Sequence, residues 1–229
     1  MKIPSHFQMP AMIGSVVVIL ILLVSFFWRG DSEDLTVYTA KYETRKIDAA
    51  VAQAAAQEAI RLTGGAGNVV LLLNVPGKPT GSFVEQQSQA YRDGFEESLR
   101  NHGGSGIKIV GTKHRATDTS KEIFSFPWPT PSVLMDIARE FPSANLYVSF
   151  CRAHEFTGDD APQLRANNVP PLVIVDNSVR PGVSQQTIMA SGAVAVLFTQ
   201  NPRLFARGVP DVQGDPQMIV QATYFTLRR

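Results

Sequence analysis

Short runs of branched and aromatic apolar residues recur along the chain after residue 68, separated by longer polar or amphipathic segments. Each run is four or five residues long, which is the length of a strand and too short for a helix. Several runs are apolar at successive positions, as expected for strands that are buried on both faces of a sheet. The predicted strands are Val69–Leu73, Ile107–Val110, Leu146–Phe150, Leu172–Val175 and Val194–Phe198.

The segments between these runs carry helix signals. A long amphipathic helix starts after Ser82 and places Phe83, Ala90, Phe95 and Leu99 on one face. Strand and helix alternate, which predicts an α/β fold with a single doubly wound, mostly parallel sheet. The remaining predicted elements are helices at Pro131–Glu140 and between Ser184 and Gly192, and a last extended run at Met218–Leu227.

The N-terminal part of the chain has a different pattern. Ala11–Trp28 contains no charged residue, and as a helix it would span about 27 Å, close to the roughly 30 Å of a bilayer core. A cleaved signal peptide is the alternative, but Arg29 and bulky residues stand where small residues would precede a cleavage site. We therefore expect one uncleaved transmembrane helix in contact with membrane lipid. Lys2 precedes it and Asp31 follows it, so the bulk of the chain is expected on the periplasmic side of the inner membrane.

An alanine-rich segment lies between this anchor and the first strand. It predicts a helix that Asp48 caps and Gly64 ends. Because an isolated alanine-rich helix is only marginally stable in water, we expect it to dock on its own domain or on a partner. The predicted organisation is a short tail (1–10), a transmembrane helix (11–28), a juxtamembrane tether with the alanine-rich helix (29–67) and an α/β single-lobe domain (68–229).

Composition and motifs narrow the range of functions. A formal net charge of +1 provides no basic surface for nucleic acid. The one cysteine, Cys151, is expected to be a small buried apolar residue at a strand end. The glycine-rich stretches 64–67 and 103–106 precede strands, unlike phosphate-binding loops, and the histidines lack the spacing of metal ligands. No nucleophile elbow is present either. We therefore expect no enzyme activity, no cofactor and no metal site.

Polar side chains follow two of the predicted strands. Asp176 follows the strand that starts at Leu172, and Gln200 follows the strand that starts at Val194. In open α/β sheets, ligands bind at the carboxyl ends of the strands, although turn formation is an alternative role for both residues. Trp128, in an aromatic and proline-rich loop, could contact a ligand or a partner, or pack over the end of the sheet.

Three stretches of the chain resemble a known family. IVDN followed by ASGAVAVLFTQNP resembles the C-terminal lobe of the sugar-type (type 1) periplasmic binding proteins. VVLLLNVPGKPTGSFVEQQSQAYRDGFEESLRN with IKIVGT, and VLMDIAREFPSANLYVSF, are similar to the beginning and middle of the same lobe. The resemblance covers the whole domain and implies its fold. It also implies that Asp176 and Gln200 contact a sugar.

The chain also departs from this family. Where the family carries an arginine on the first long helix, this chain has Gln89 and Tyr91, and where it carries an asparagine after the third strand, this chain has Cys151 and Arg152. Family members close two lobes over their ligand, whereas this chain has residues for only one. The sugar site is therefore expected to be half retained. The predicted ligand-binding residues are Asp176, Gln200, Gln89 and Trp128.

These observations lead to two hypotheses of different classes. In the first, the chain is a membrane-anchored structural or interaction subunit that docks onto a protein partner in a membrane complex, or onto a second copy of itself. In the second, it is a solute-binding or sensing module that holds a small polar, sugar-like ligand, with a partner supplying the missing wall. The sequence slightly favours the first, because a single lobe cannot bury most of a sugar.

Overall fold

The structure is a computed structural model that describes residues 46–74, 83–115, 128–151, 156–157, 159–176, 185–190, 192–200 and 215–229. Residues Arg45–Arg229 form one compact unit. The predicted transmembrane helix (11–28) and tether (29–45) lie outside the described residues. Within the described part of the chain, no helix is long and apolar enough to cross a membrane.

Helices and strands alternate along this unit. The helices are α1 (residues 46–63), α2 (Phe83–Asn101), α3 (Pro131–Glu140), α4 (Asp160–Ala166), α5 (Gln185–Ala190) and α6 (Pro216–Thr223). The strands are β1 (Ala66–Leu73), β2 (Gly106–His114), β3 (Leu146–Ser149), β4 (Leu172–Asp176), β5 (Val194–Gln200) and β6 (Tyr224–Arg228).

The strands form a six-stranded sheet in the order β2-β1-β3-β4-β5-β6. The first five strands are parallel, and β6 runs antiparallel to β5. Buried side chains lie on both faces of the sheet. On one face, α1, α2 and α6 cover a core that includes Val51, Phe95 and Val220. On the other face, α3, α4 and α5 cover a second core that includes Leu134 and Leu164. The predicted doubly wound, mostly parallel α/β sheet is therefore confirmed.

Helix α1 is an integral layer of this domain. Its small side chains lie in the same core as the strands, and five of its residues are fully buried: Val51, Ala52, Ala55, Ala56 and Ala59. The small side chains let the backbone of α1 come close to α2. A methyl group placed on Gly94 of α2 would lie 2.6 Å from the carbonyl oxygen of Ala49. The alanine-rich helix therefore docks on its own domain, as one of the two predicted alternatives required.

The helix is held at both ends by buried acidic residues. Near its C-terminal end, the Glu58 side chain is 8% exposed and its carboxylate lies 2.6 Å from Nη2 of Arg228 on β6 and 2.7 Å from Nε of Arg61. Burial alone would raise the pKa of Glu58, but the hydrogen bonds and charges of Arg228 and Arg61 outweigh it and lower this pKa. Glu58 therefore joins α1 to the last strand as an ionised carboxylate.

Asp48 was predicted to cap this helix, and that prediction is wrong. Residues 46 and 47 are already helical, so Asp48 lies inside α1. Its side chain turns into the domain, where Tyr91 Oη donates a hydrogen bond of 2.8 Å and Gln87 Nε2 lies 3.2 Å from each carboxylate oxygen. The carboxylate oxygens of Asp48 accept hydrogen bonds from Tyr91 and Gln87 on α2, whereas a cap residue would accept them from backbone N–H groups of its own helix.

Two other elements differ from the sequence prediction. Met218–Leu227 was predicted to be one extended run, but α6 occupies residues up to Thr223. The helix starts there because Asp215 accepts a hydrogen bond of 2.9 Å from Gln217 N and Pro216 stands in the first turn. The short helix α4 was not predicted, because seven residues that include a proline give too weak a periodicity.

Candidate functional site

The carboxyl ends of the five parallel strands lie along one edge of the sheet, which we call the carboxyl edge. Every strand-to-helix connection leaves from this edge. The middle parts of these connections lie outside the described residues, so the edge is known from the strand ends that line it. Since β2 and β3 lie on opposite sides of β1, the direction of winding reverses between β1 and β3. Open α/β sheets bind their ligands beside such a reversal.

Two polar residues are buried at the ends of β4 and β5. Asp176 and Thr199 are partners in the register of the two strands and are only 5% and 6% exposed. The Thr199 hydroxyl accepts a hydrogen bond of 3.1 Å from Nε2 of Gln185, the first residue of α5. A carboxylate and a hydroxyl thus lie next to each other at the carboxyl edge. The hydrogen bond from Gln185 connects the start of α5 to this hydroxyl.

Asn74 is the first residue after β1, beside the point where the winding reverses. Its backbone carbonyl accepts a hydrogen bond of 3.1 Å from the Ser88 hydroxyl on α2. The side-chain oxygen Oδ1 is buried and has no hydrogen-bond partner among the described residues. A buried amide oxygen without a donor costs about 1–3 kcal/mol. Asn74 was not singled out from the sequence, although an amide directly after a buried strand is the signal that would have found it.

The two residues that follow β3, Phe150 and Cys151, are buried and apolar. Phe150 stacks on Tyr91, with ring centroids 4.6 Å apart, and meets Phe95 edge to face at 6.3 Å. Cys151 is 4% exposed, and burial raises the pKa of its thiol to about 12 against smaller opposing effects of Ser149 and Arg115. The thiol is therefore protonated at neutral pH, as expected for a buried apolar residue rather than a nucleophile.

His114 lies at the end of β2. Burial, helped by the positive charge of Arg92, lowers the pKa of its imidazole below the usual value. The ring is therefore neutral at physiological pH. Within the described part of the chain, no three side chains of the metal-binding types come together.

The structure places the four predicted ligand residues in different surroundings. Asp176 is at the end of β4, and Gln200 is the last residue of the neighbouring β5, although its side chain lies outside the described atoms. Gln89 is exposed on α2 and donates a hydrogen bond of 2.7 Å to Asp93. Trp128 is half-buried and packs against the core under α3, on the opposite face of the sheet from α2. Only Asp176 and Gln200 are thus at neighbouring strand ends, and their contact with a ligand stays a prediction.

Comparison with known proteins agrees with this architecture. No protein-family model matches the chain, and no curated protein matches its sequence. Among solved structures, the "XylFII molecule" aligns with a TM-score of 0.51 and 14% identity over 80% of this chain and 60% of that chain. The "XylFII-LytSN complex" aligns with a TM-score of 0.51 and 14% identity over 79% and 59%. A putative LacI transcriptional regulator from Bacteroides fragilis has 19% identity over 69% and 48%, with a TM-score of 0.46.

The domain has the fold of a type 1 periplasmic binding protein lobe. The fold implied by the resemblance of its sequence to this family is therefore confirmed. The chain spans between about half and three fifths of the length of these structures. The buried acceptors Asn74, Asp176 and Thr199 lie at the carboxyl edge, where open α/β sheets in general bind their ligands.

Proposed function

We propose that this chain is a non-enzymatic module that binds or senses a small polyhydroxylated ligand, such as a sugar, at the carboxyl edge of its sheet. The observation that carries the proposal is the buried Oδ1 of Asn74 beside the reversal point of the sheet, which has no hydrogen-bond partner among the described residues. Such an atom is stabilised by an incoming donor. A ligand hydroxyl is a donor of the right size.

The neighbouring groups fit the same chemistry. Asp176 and Thr199 add a carboxylate and a hydroxyl to the edge, and both can accept hydrogen bonds from hydroxyl groups. The stacked Tyr91 and Phe150 rings keep the reversal point apolar, which strengthens hydrogen bonds made there. Gln200 is the last residue of the adjacent strand β5, and we propose that it contacts the same ligand.

A single lobe leaves one side of such a ligand uncovered. The solved XylFII structure that shares this fold was also determined as a complex with LytSN, and we propose that a protein partner likewise covers the open side here. We further propose that residues 11–28 anchor the chain in the inner membrane with the lobe in the periplasm. A purely structural subunit is the competing reading, and the titrations and variants below separate the two.

Calorimetry tests this proposal. The full chain in mild detergent would be titrated with a panel of pentoses, hexoses and cyclitols. Saturable heat for one member, lost in Asp176→Ala, is expected. If no sugar of the panel gives a heat of binding to the folded protein, the structural subunit would be favoured.

The variant Asn74→Leu separates a ligand role from a packing role. We expect it to weaken ligand binding by about tenfold or more, because one hydrogen bond to a buried acceptor is lost. The free energy of unfolding should stay unchanged or rise, since the unsatisfied oxygen is removed.

The matched control is Asn145→Leu at the opposite edge of the sheet. Asn145 Oδ1 accepts a hydrogen bond of 2.8 Å from Asn68 N, so its loss should lower stability and leave binding intact. Urea unfolding and calorimetry measure both quantities. Equal stability losses in the two variants, without an effect of Asn74→Leu on binding, would contradict the ligand role of Asn74.

A further inference from the structure

A groove lies far from the candidate ligand site, between the C-terminal half of α2 and the start of β2. Its volume is about 460 Å³, within the range of roughly 300–1,000 Å³ that binding sites usually have. The floor is apolar and consists of Leu99, Ile107 and Ile109. Glu96 and Arg100 of α2 stand at its rim.

The wall opposite α2 is the edge of the sheet. β2 is the terminal strand of the described sheet and pairs with β1 along one side only. Its other side has no strand neighbour among the described residues. A free strand edge beside a helix, with an apolar floor between them, can accept an extended segment as an additional strand. Backbone hydrogen bonds then provide affinity, and alternate side chains of the added strand enter the groove.

The charges around this edge define what kind of segment fits. Lys108 is exposed, and strand alternation places it on the opposite face from Ile107 and Ile109. Among the described residues, neither Lys108 nor Arg100 has an ion-pair partner, whereas Glu96 is paired with Arg92 at 2.9 Å. The unbalanced charge at the edge is therefore positive. An added strand would place one set of side chains over the apolar floor and the other set opposite Lys108.

We infer that the groove between α2 and β2 binds an extended segment of another protein in which apolar residues alternate with acidic ones. A second copy of this chain fits less well, because Lys113 of β2 is already paired with Glu140 and β2 has no acidic residue that could lie opposite Lys108 of the other copy. A lysine on an edge strand opposes pairing with strands that lack an acidic partner.

A defined peptide tests this inference. A fluorescent peptide of nine residues, as long as β2, would alternate valine with glutamate. The comparison peptides would alternate valine with lysine, or carry the same valines and glutamates in two blocks. Anisotropy titrations with the full chain in mild detergent should show saturable binding of the alternating acidic peptide alone. Hydrogen exchange of the β2 amides should slow when this peptide is bound.

Charge reversal at the edge gives the second measurement. Lys108→Glu should weaken binding of the acidic peptide by about tenfold, because an attraction becomes a repulsion, and should allow the lysine peptide to bind. Arg165→Glu is the matched control, since Arg165 is an exposed arginine on α4 that does not line the groove. It should leave both affinities unchanged.

Several results would overturn the inference. Equal binding of the three peptides would indicate apolar adhesion without strand addition. Protection of the β2 amides in a peptide-free dimer would identify a second copy as the occupant. Protection in a peptide-free monomer that disappears in the Glu33→Lys, Asp34→Lys double variant would identify the chain's own N-terminal segment. None of these results depends on whether the carboxyl edge binds a sugar.

Discussion

Replacing Gly94 with leucine is expected to lower the free energy of unfolding by about 3 kcal/mol and to displace α1 from α2. Even the first carbon of the new side chain would lie 2.6 Å from the carbonyl oxygen of Ala49 and 3.0 Å from its Cα. These are backbone atoms, so no side-chain rotation relieves the overlap. Urea denaturation followed by circular dichroism measures the loss, and hydrogen exchange in residues 46–63 reports the displacement of α1.

The smaller variant Gly94→Ala makes the test sharper. At an exposed helix position, a change from glycine to alanine stabilises a protein by up to about 1 kcal/mol. Here we expect destabilisation instead, by about 1–3 kcal/mol. Asp93→Ala, at the exposed neighbouring position, serves as the control and should have a small effect. A gain of stability in Gly94→Ala would show that α1 does not pack on α2 as described.

The stability of the domain is expected to fall as the pH rises from about 4 to above 6. Burial raises the pKa of Asp48 from 3.8 to about 6, against the opposing hydrogen bonds from Tyr91 and Gln87. The folded state thus holds a proton on Asp48 that the unfolded state releases at lower pH. The stabilisation is complete below about pH 4 and is lost as the pH rises through about 6. A shift of this size corresponds to about 3 kcal/mol.

Denaturant unfolding at a series of pH values checks this expectation. Asp48→Asn should remove this part of the pH dependence and make the domain more stable at neutral pH, because no charge is then buried. Tyr91→Phe should extend the fall to higher pH, because the hydrogen bond of 2.8 Å that favours the carboxylate is lost. If the pH dependence of the free energy of unfolding is unchanged in Asp48→Asn, groups other than Asp48 cause it.

Both predictions concern the contact between α1 and α2, which the sequence predicted only in part. The run of alanines predicted a helix that needs a partner, since small side chains bury little apolar area on their own. It did not identify α2 as that partner. The closeness of Ala49 to Gly94, and the hydrogen bond from Ser98 Oγ to the Gln53 carbonyl at 3.1 Å, arise from positions more than forty residues apart. No local pattern carries that information.

The candidate site, too, was predicted only in part from the sequence. Strand ends are visible in a sequence, so Asp176 and Gln200 could be placed at one edge of the sheet from the apolar runs that precede them. Gln89 was selected by analogy with a family position, and the structure shows it hydrogen-bonded to Asp93 on an exposed helix face. Whether Asn74 lacks a donor depends on everything packed around it, so its role became apparent only from the folded domain.

The sequence by itself determined the class of the fold, five of its six strands and the winding of helices around a parallel sheet. These features follow from local periodicity, because residues buried on both faces of a strand must be apolar at successive positions. The tertiary structure decided that Asp48 is buried against Tyr91, that Met218 belongs to a helix and that the Asn74 oxygen has no hydrogen-bond partner among the described residues. Each of these outcomes depends on the desolvation and pairing of polar groups by residues distant in the chain, and only the packed molecule brings those residues together.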